Sequence, residues 1–286
     1  MGFRTVVIKK RSKLDLKMNY LVCRNDEETR IYIPEISNLI IESTAVSLTC
    51  ALISELVKNN VKIIFCDEKH SPESELVGYN INYNNSKKIS WQIQWKEDIK
   101  GKVWQKIIQN KILKQKEFLQ ELNYPKEAEL LQLYQEDVEL NDITNREGHS
   151  AKVYFNALFG FDFSRRDSHF VNSALNYGYA IILACFNREI VSNGYITQLG
   201  IWHHNEFNHF NLSCDLMEPF RILVDRKVYF LEDGDLNYKM KILEILDEKV
   251  KIDGKEQYLE NAISQYCNSI FESLNKEDIN LLRFYE

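Results

Sequence analysis

No stretch of this 286-residue chain approaches the roughly 20 consecutive apolar residues that span a bilayer, so no membrane anchor is expected. The opening MGFRTVVIKKRSKLD has neither the long apolar run nor the small-residue cleavage site of a secretory signal, and a cytoplasmic location is the default expectation. Six cysteines (Cys23, Cys50, Cys66, Cys185, Cys214, Cys267) include no C-x-x-C pair. A zinc ribbon or thioredoxin-type centre is therefore unsupported, and buried reduced thiols are expected. The chain also lacks G-x-x-x-x-G-K-[ST], G-x-G-x-x-G and G-x-S-x-G, which disfavours nucleotide hydrolysis and serine hydrolase chemistry. There is no internal repeat and no low-complexity linker.

What is present is ordinary globular composition, 44% hydrophobic and 27% charged, in a chain long enough to bury a core without staples. The net charge of −6 hides an uneven distribution. Residues 1–17 carry Arg4, Lys9, Lys10, Arg11, Lys13 and Lys17 against Asp15, and KGKVWQKIIQNKILKQK (100–116) carries six lysines and no acid. From 232 to 278 twelve acids face six lysines. Such asymmetry suits a polyanion-binding face on an acidic protein; a solvated helix surface explains the lysine run equally simply.

Short β-rich runs dominate the start: RTVVI, NYLVC, TRIYIPEI, NLIIES and VKIIFCD. One helix interrupts them, expected to be capped by Ser43 or Thr44, with Leu48, Leu52 and Leu56 at spacing four. From about 100 the period becomes helical. Trp104, Ile107, Ile108, Leu113 and Phe118 form one apolar face, with the lysines on the rest. Pro125 opens a second helix, NREGHSAKVYFNALFG ends a third at Gly160, and DSHFVNSALNYGYAIILACFNREIVSNG forms a longer one buried on most faces. No further strand-rich block competes. The expected fold class is α+β: a small N-terminal β domain (1–85), a linker (86–99) and a mainly helical C-terminal domain (100–286).

The residues that could carry chemistry cluster late. GIWHHNEFNHFNLSCDLMEPFR (200–221) holds His203, His204 and His209, half of the six histidines, ahead of Asp215 and Glu218. Each has a bland account. The histidines suit a surface loop, D-x-x-E reads as a capping box with Asp215 at the N-cap, and Glu147 is an acid in a first helical turn. The same groups also suit a hard divalent cation, since magnesium or manganese takes carboxylates and manganese accepts an imidazole. No spacing fits tetrahedral zinc.

NREGHSAKVYFNALFG, VNSALNYGYA, NGYITQLGIWH and NLSCDLMEPFRILVD stand in the order and separation of the CRISPR-associated adaptation integrases, the Cas-one family, and the chain resembles that family over most of its length. DLMEPFR and the compact length are similar to members that accompany single-effector, RNA-guided nucleases. The resemblance implies an N-terminal β domain that dimerises, a helical catalytic domain, and two dimers assembled around a small ferredoxin-like partner of the Cas-two family. It implies insertion of short DNA, through its 3′-hydroxyls, at the CRISPR repeat. It places the metal ligands, for Mg2+ or Mn2+, on Glu147, His203 and Glu218, with glutamate at 218 where many members have aspartate. Asp215 is then a supporting acid and Tyr177 of LNYGY a tyrosine near the site, or simply a core aromatic; His204 competes with His203. Lys102, Lys106, Lys111, Lys114, Arg146, Arg165 and Arg166 are candidate DNA phosphate contacts. A metal-dependent nuclease that cuts without joining, and a non-catalytic DNA scaffold, are the rival readings.

Overall fold

The computed structural model describes residues 4–76, 78, 84–167 and 169–286. It divides into two compact units, 1–83 and 84–286, and is α+β throughout. In the first unit, β1 (Arg4–Ile8), β5 (Ile36–Ile41) and β7 (Lys62–Cys66) run parallel, with β8 (Pro72–Leu76) antiparallel at the edge. β5 is ISNLII, buried at every position, as a strand covered on both faces should be. A second sheet has the order β4–β3–β2–β6 (Glu28–Tyr32, Tyr20–Arg24, Ser12–Lys17, Val46–Leu48). Val6, Leu14, Leu21, Ile36, Leu39, Leu52, Leu56 and Ile63 fill the core between these strands and α1 (Cys50–Lys58).

Two local expectations change here. Residues 12–17, part of the basic N-terminal segment, form β2, because Leu14 and Leu16 alternate inward while the lysines alternate outward. The helix begins at Thr49, whose hydroxyl accepts from Leu52 N at 3.4 Å, rather than at Ser43 or Thr44; Val46–Leu48 pairs as a strand instead. Four cysteines are buried, but Cys50 at the start of α1 is exposed.

The second unit is built around α3 (Glu97–Glu121), against which α4 (Pro125–Glu136) and α5 (Arg146–Phe159) pack. Trp104, Ile107, Ile108, Ile112 and Phe118 of α3 are fully or almost fully buried. The helix α6 (Phe170–Ser192) is the apolar-all-round helix anticipated, and α7 (Asn211–Met217), α8 (Arg221–Tyr229) and α9 (Tyr238–Leu243) pack on it. A hairpin of β9 (Lys249–Ile252) and β10 (Lys255–Tyr258) precedes α10 (Leu259–Lys276), where no strand was expected. Its turn residues Asp253 and Gly254 both have positive φ, as an Asp-Gly two-residue turn requires. Among the described residues no helix is long and apolar enough to cross a membrane.

The segment 86–99 is not a linker. Its first part is the helix α2 (Asn85–Ile93), and α3 begins at Glu97. Gln92, buried, donates through Nε2 to the carbonyls of Ile196 (2.9 Å) and Leu199 (2.8 Å) and accepts from Ile196 N at 3.0 Å. One amide side chain thereby satisfies three backbone groups of the loop that leads into His203. The indole of Trp95 donates to Asn275 Oδ1 at 2.9 Å and fastens the same segment to α10.

Candidate active site

The first turn of α5 is capped without help from Glu147. Asn145, in the left-handed region, accepts from Gly148 N, and the buried Asp142 carboxylate accepts from Arg146 N (2.8 Å) and Glu147 N (3.0 Å). The Glu147 side chain is therefore free to turn toward α3, where Lys111 Nζ donates to its Oε1 at 2.6 Å.

Glu218 is 4% exposed, in a 3₁₀ turn (Glu218–Phe220) between α7 and α8. Both of its oxygens are paired: Oε1 accepts from Arg221 Nε at 2.9 Å and Oε2 from Lys111 Nζ at 2.5 Å. Burial alone would raise its pKa, but Arg221 and Lys111 hold it down to about 2. Burial opposes the charge on Lys111 as well, and there Glu147 and Glu218 outweigh it and raise the pKa; Glu218 does the same for the stacked Arg221, whose guanidinium lies 4.7 Å from the Tyr179 ring.

Asp215 is fully buried inside α7, not at a helix N-cap, so the capping-box account of D-x-x-E does not hold. The helix starts four residues earlier, and the carboxylate instead gathers the preceding loop. Oδ2 accepts from Ile201 N (2.6 Å) and Trp202 N (2.9 Å), and Oδ1 from His203 N (3.1 Å) and His203 Nδ1 (2.5 Å). Gly200 makes this close approach possible: a Cβ there would fall 2.4 Å from His203 O and 2.7 Å from Asp215 Oδ2. Trp104 completes the support, stacked on Trp202 and meeting the His203 ring edge-on at 5.7 Å.

The hydrogen bond to Asp215 raises the His203 pKa against the opposing effect of burial, and the charges of Asp215, Glu218 and Glu147 add to it. His203 therefore shares the field of both carboxylates although it comes from a different loop. With Nδ1 committed to Asp215, Nε2 is the nitrogen left for a ligand, the carboxylate–histidine arrangement that orients metal-binding imidazoles. His204 is exposed and lines a separate cavity with Gln92, Trp95 and His209.

A cavity of about 230 Å³ opens beside the acidic pair, lined by Lys111, Glu147, Arg165, Tyr179, Glu218, Arg221 and Asp225 among others. Three of these, Tyr179, Arg221 and Asp225, are not among the residues the sequence singled out. The Tyr179 hydroxyl donates to Asp225 Oδ1, and Arg165 lies over the Tyr179 ring while donating to Asn172 and Asn176. Tyr177, the tyrosine anticipated near the site, is buried instead against Tyr238 and Lys239; two residues along a helix turn a side chain by about 200°, so 177 and 179 cannot share a face.

Of the other basic candidates, Lys111 and Lys114 are buried rather than offered to solvent, Lys114 paired with Glu117 at 2.7 Å. Lys102 and Lys106 are exposed, bonded to Asp98 and Gln109 of their own helix. Arg146 pairs with Asp137 at 3.3 Å, Arg165 is half-buried at the cavity, and Arg166 is exposed.

Burial pushes the Asp225 carboxyl up to about 6, despite the hydrogen bond from Tyr179 and the nearby Tyr154, Arg221 and Lys111. Folded protein thus holds this proton more tightly than unfolded chain, so stability is greatest below about pH 4 for this group and is lost as pH rises through 6. Asp225→Asn should remove that loss, raising stability at pH 7.5 by up to about 3 kcal/mol and flattening the thermal midpoint between about pH 4 and 7 relative to wild type. Thermal melts of the two proteins across that range check this.

Comparison with known proteins decides the family. The family model described as "CRISPR associated protein Cas1" matches residues 5–240. The chain belongs to the Cas1 family. It is 30% identical over 294 residues to the CRISPR-associated endonuclease Cas1 of Neisseria meningitidis serogroup C, an alignment that covers 100% of this chain and 97% of the relative. Two solved structures share the Cas1 fold. A casposase bound to integration product is 22% identical with a TM-score of 0.79, over 98% of this chain and 92% of the other. A chain of a Cas6-RT-Cas1–Cas2 complex is 17% identical with a TM-score of 0.77, over 98% of this chain and 36% of that longer one.

The donor chemistry of the site fits a divalent cation, with two carboxylates and an imidazole whose second nitrogen is fixed. Among the described residues, however, no group of three or more His, Cys, Asp or Glu side chains closes around one point. The two carboxylates converge on Lys111 instead.

Proposed function

We propose that this chain is a DNA integrase of CRISPR adaptation, joining the 3′-hydroxyls of a short duplex to phosphodiesters at the CRISPR repeat. One observation carries the reading: in a Cas1-family chain, Asp215 locks His203 into the field of Glu147 and Glu218, the two carboxylates that line a cavity together with Lys111, Arg165 and Arg221. Glu147, His203 and Glu218 would hold Mg2+ or Mn2+. The ion would neutralise charge on the phosphoryl group and make the attacking hydroxyl more nucleophilic. The remaining work belongs to the protein. Asp215 fixes the tautomer and direction of His203, Arg221 holds Glu218 in place, and Arg165 offers a half-buried guanidinium to a phosphate entering the cavity. No nucleoside triphosphate is needed, because one phosphodiester replaces another.

The same reading includes dimerisation through the first unit, assembly with a small ferredoxin-like partner of the Cas-two family, and a cytoplasmic location. The partner is supported by the Cas1–Cas2 complex among the structural neighbours, and joining by the casposase bound to integration product. The relative named as an endonuclease supports cutting, so a nuclease that does not join is the second reading.

The products separate the two. With the small partner, a labelled duplex bearing free 3′ ends, a repeat-bearing plasmid and Mn2+, an integrase lengthens the labelled strand by covalent joining. A nuclease yields shortened strands alone, and that result would overturn the proposal.

A further inference from the structure

Lys111 sits where a lysine is costly. Its side chain is about 10% exposed, on the face of α3 that also buries Ile107, Ile108 and Gln115, and an ammonium taken out of water is unfavourable by several kcal/mol unless fully paired. It is paired twice, at 2.6 Å to Glu147 Oε1 and 2.5 Å to Glu218 Oε2. Among the described residues it is the cation paired with Glu147, whereas Glu218 has Arg221 as well. Without it two carboxylates from separate helical segments would face one another at close range, each raising the cost of ionising the other.

The two protein cations on Glu218 differ in how firmly they are held. Arg221 is three residues from Glu218, and its guanidinium is stacked on Tyr179. Lys111 is a point charge on a flexible four-carbon stem, reaching across from another helix, and it lines the cavity. An ion held by Glu147 and Glu218 would compete for the carboxylates that Lys111 Nζ bridges. Two cations cannot share that position without strong mutual repulsion.

We infer that Lys111 is an internal counter-cation of the site: it holds Glu147 and Glu218 together in the metal-free protein and must move off them when a divalent ion binds. This rests on the metal reading given above. Lys111 is a positioning residue, acting through the two carboxylates. It makes metal loading an exchange of one cation for another, so that affinity for the ion is set lower than the bare acid pair would give.

The test is calorimetric titration of the full-length protein with Mn2+ at constant pH, together with thermal melts in chelator and in Mn2+. Lys111→Met removes the competitor while keeping the stem. It should bind Mn2+ roughly ten-fold more tightly or better, melt at a lower temperature in chelator, and show a larger Mn2+-induced rise than wild type. Lys111→Gln, polar and neutral, should shift affinity in the same direction if the Met variant does not fold. Lys111→Arg keeps the charge and should return affinity to the wild-type value or below it, which loss of packing alone would not predict. Wild-type binding that depends on Glu147 (absent in Glu147→Gln) but is unchanged or weakened in the neutral Lys111 variants overturns the exchange and leaves the metal assignment standing. Absence of Glu147-dependent binding in wild type and in the Lys111 variants alike overturns both.

Discussion

Glu218→Gln should lower strand joining by at least roughly a hundred-fold, the scale seen when one preorganised group that stabilises developing charge is lost. Glutamine keeps the shape of the side chain, and its amide oxygen can still accept from one of the two cations that Glu218 now serves, Lys111 or Arg221. What it lacks is the negative charge. Lys111 is buried and Arg221 largely so, and the substitution leaves Lys111 with Glu147 alone and takes away the charge that Arg221 is paired with; breaking a buried pair of this kind costs about 3–5 kcal/mol. The two consequences can be measured apart: joining from the appearance of the longer labelled strand, folding from the thermal midpoint. A variant that melts several degrees lower yet still binds labelled DNA, and does not join it, is the expected result. Joining at the wild-type rate would remove Glu218 from the chemistry, whatever its effect on folding.

How far the sequence foretold this arrangement depends on what each signal measures. Alternating and continuous apolar runs marked β1, β3, β5 and β7, because burial leaves its pattern in consecutive residues. Gly160, at φ 97°, marked the end of α5. β2 was hidden by its outward-facing lysines, and β9 and β10 by their charge, although Asp253-Gly254 was a usable hairpin signal. The lysines of α3 show the limit of reading charge as exposure. Lys111 lies seven residues, about two turns, beyond Trp104, so helical arithmetic already put it on the apolar face; what the arithmetic could not supply was a pair of acids arriving from α5 and from the turn after α7. D-x-x-E was ambiguous for a related reason. A local pattern describes a helix start, and whether Asp215 meets the amides of its own helix or those of a loop fourteen residues earlier is a tertiary fact. The segment around Gln92 reads as a linker in sequence because it is polar, whereas its polar groups serve the backbone of the His203 loop.

That loop is the part of the site with the least room for change, and Gly200 is its tightest point. Gly200→Ala places a methyl group 2.4 Å from the carbonyl oxygen of His203 and 2.7 Å from Asp215 Oδ2. The first neighbour is backbone and the second a carboxylate already committed to Ile201 and Trp202, so neither can move aside without breaking hydrogen bonds. Overpacking of this kind costs about 1–3 kcal/mol. The functional loss should be larger in proportion, because the displaced groups are those that orient His203. Disturbing the partners of a ligand histidine weakens metal binding by roughly 10–100-fold. Mn2+ titration of Gly200→Ala should therefore show weak binding in a protein that still melts cooperatively, and joining should fall with it. The control lies in the same loop: Gln198 is exposed, so Gln198→Ala adds no atoms to the Asp215 cradle and should bind Mn2+ as wild type does. Wild-type affinity in Gly200→Ala would mean that His203 reaches its working position without the loop geometry described here, and the role given to Asp215 would have to be withdrawn.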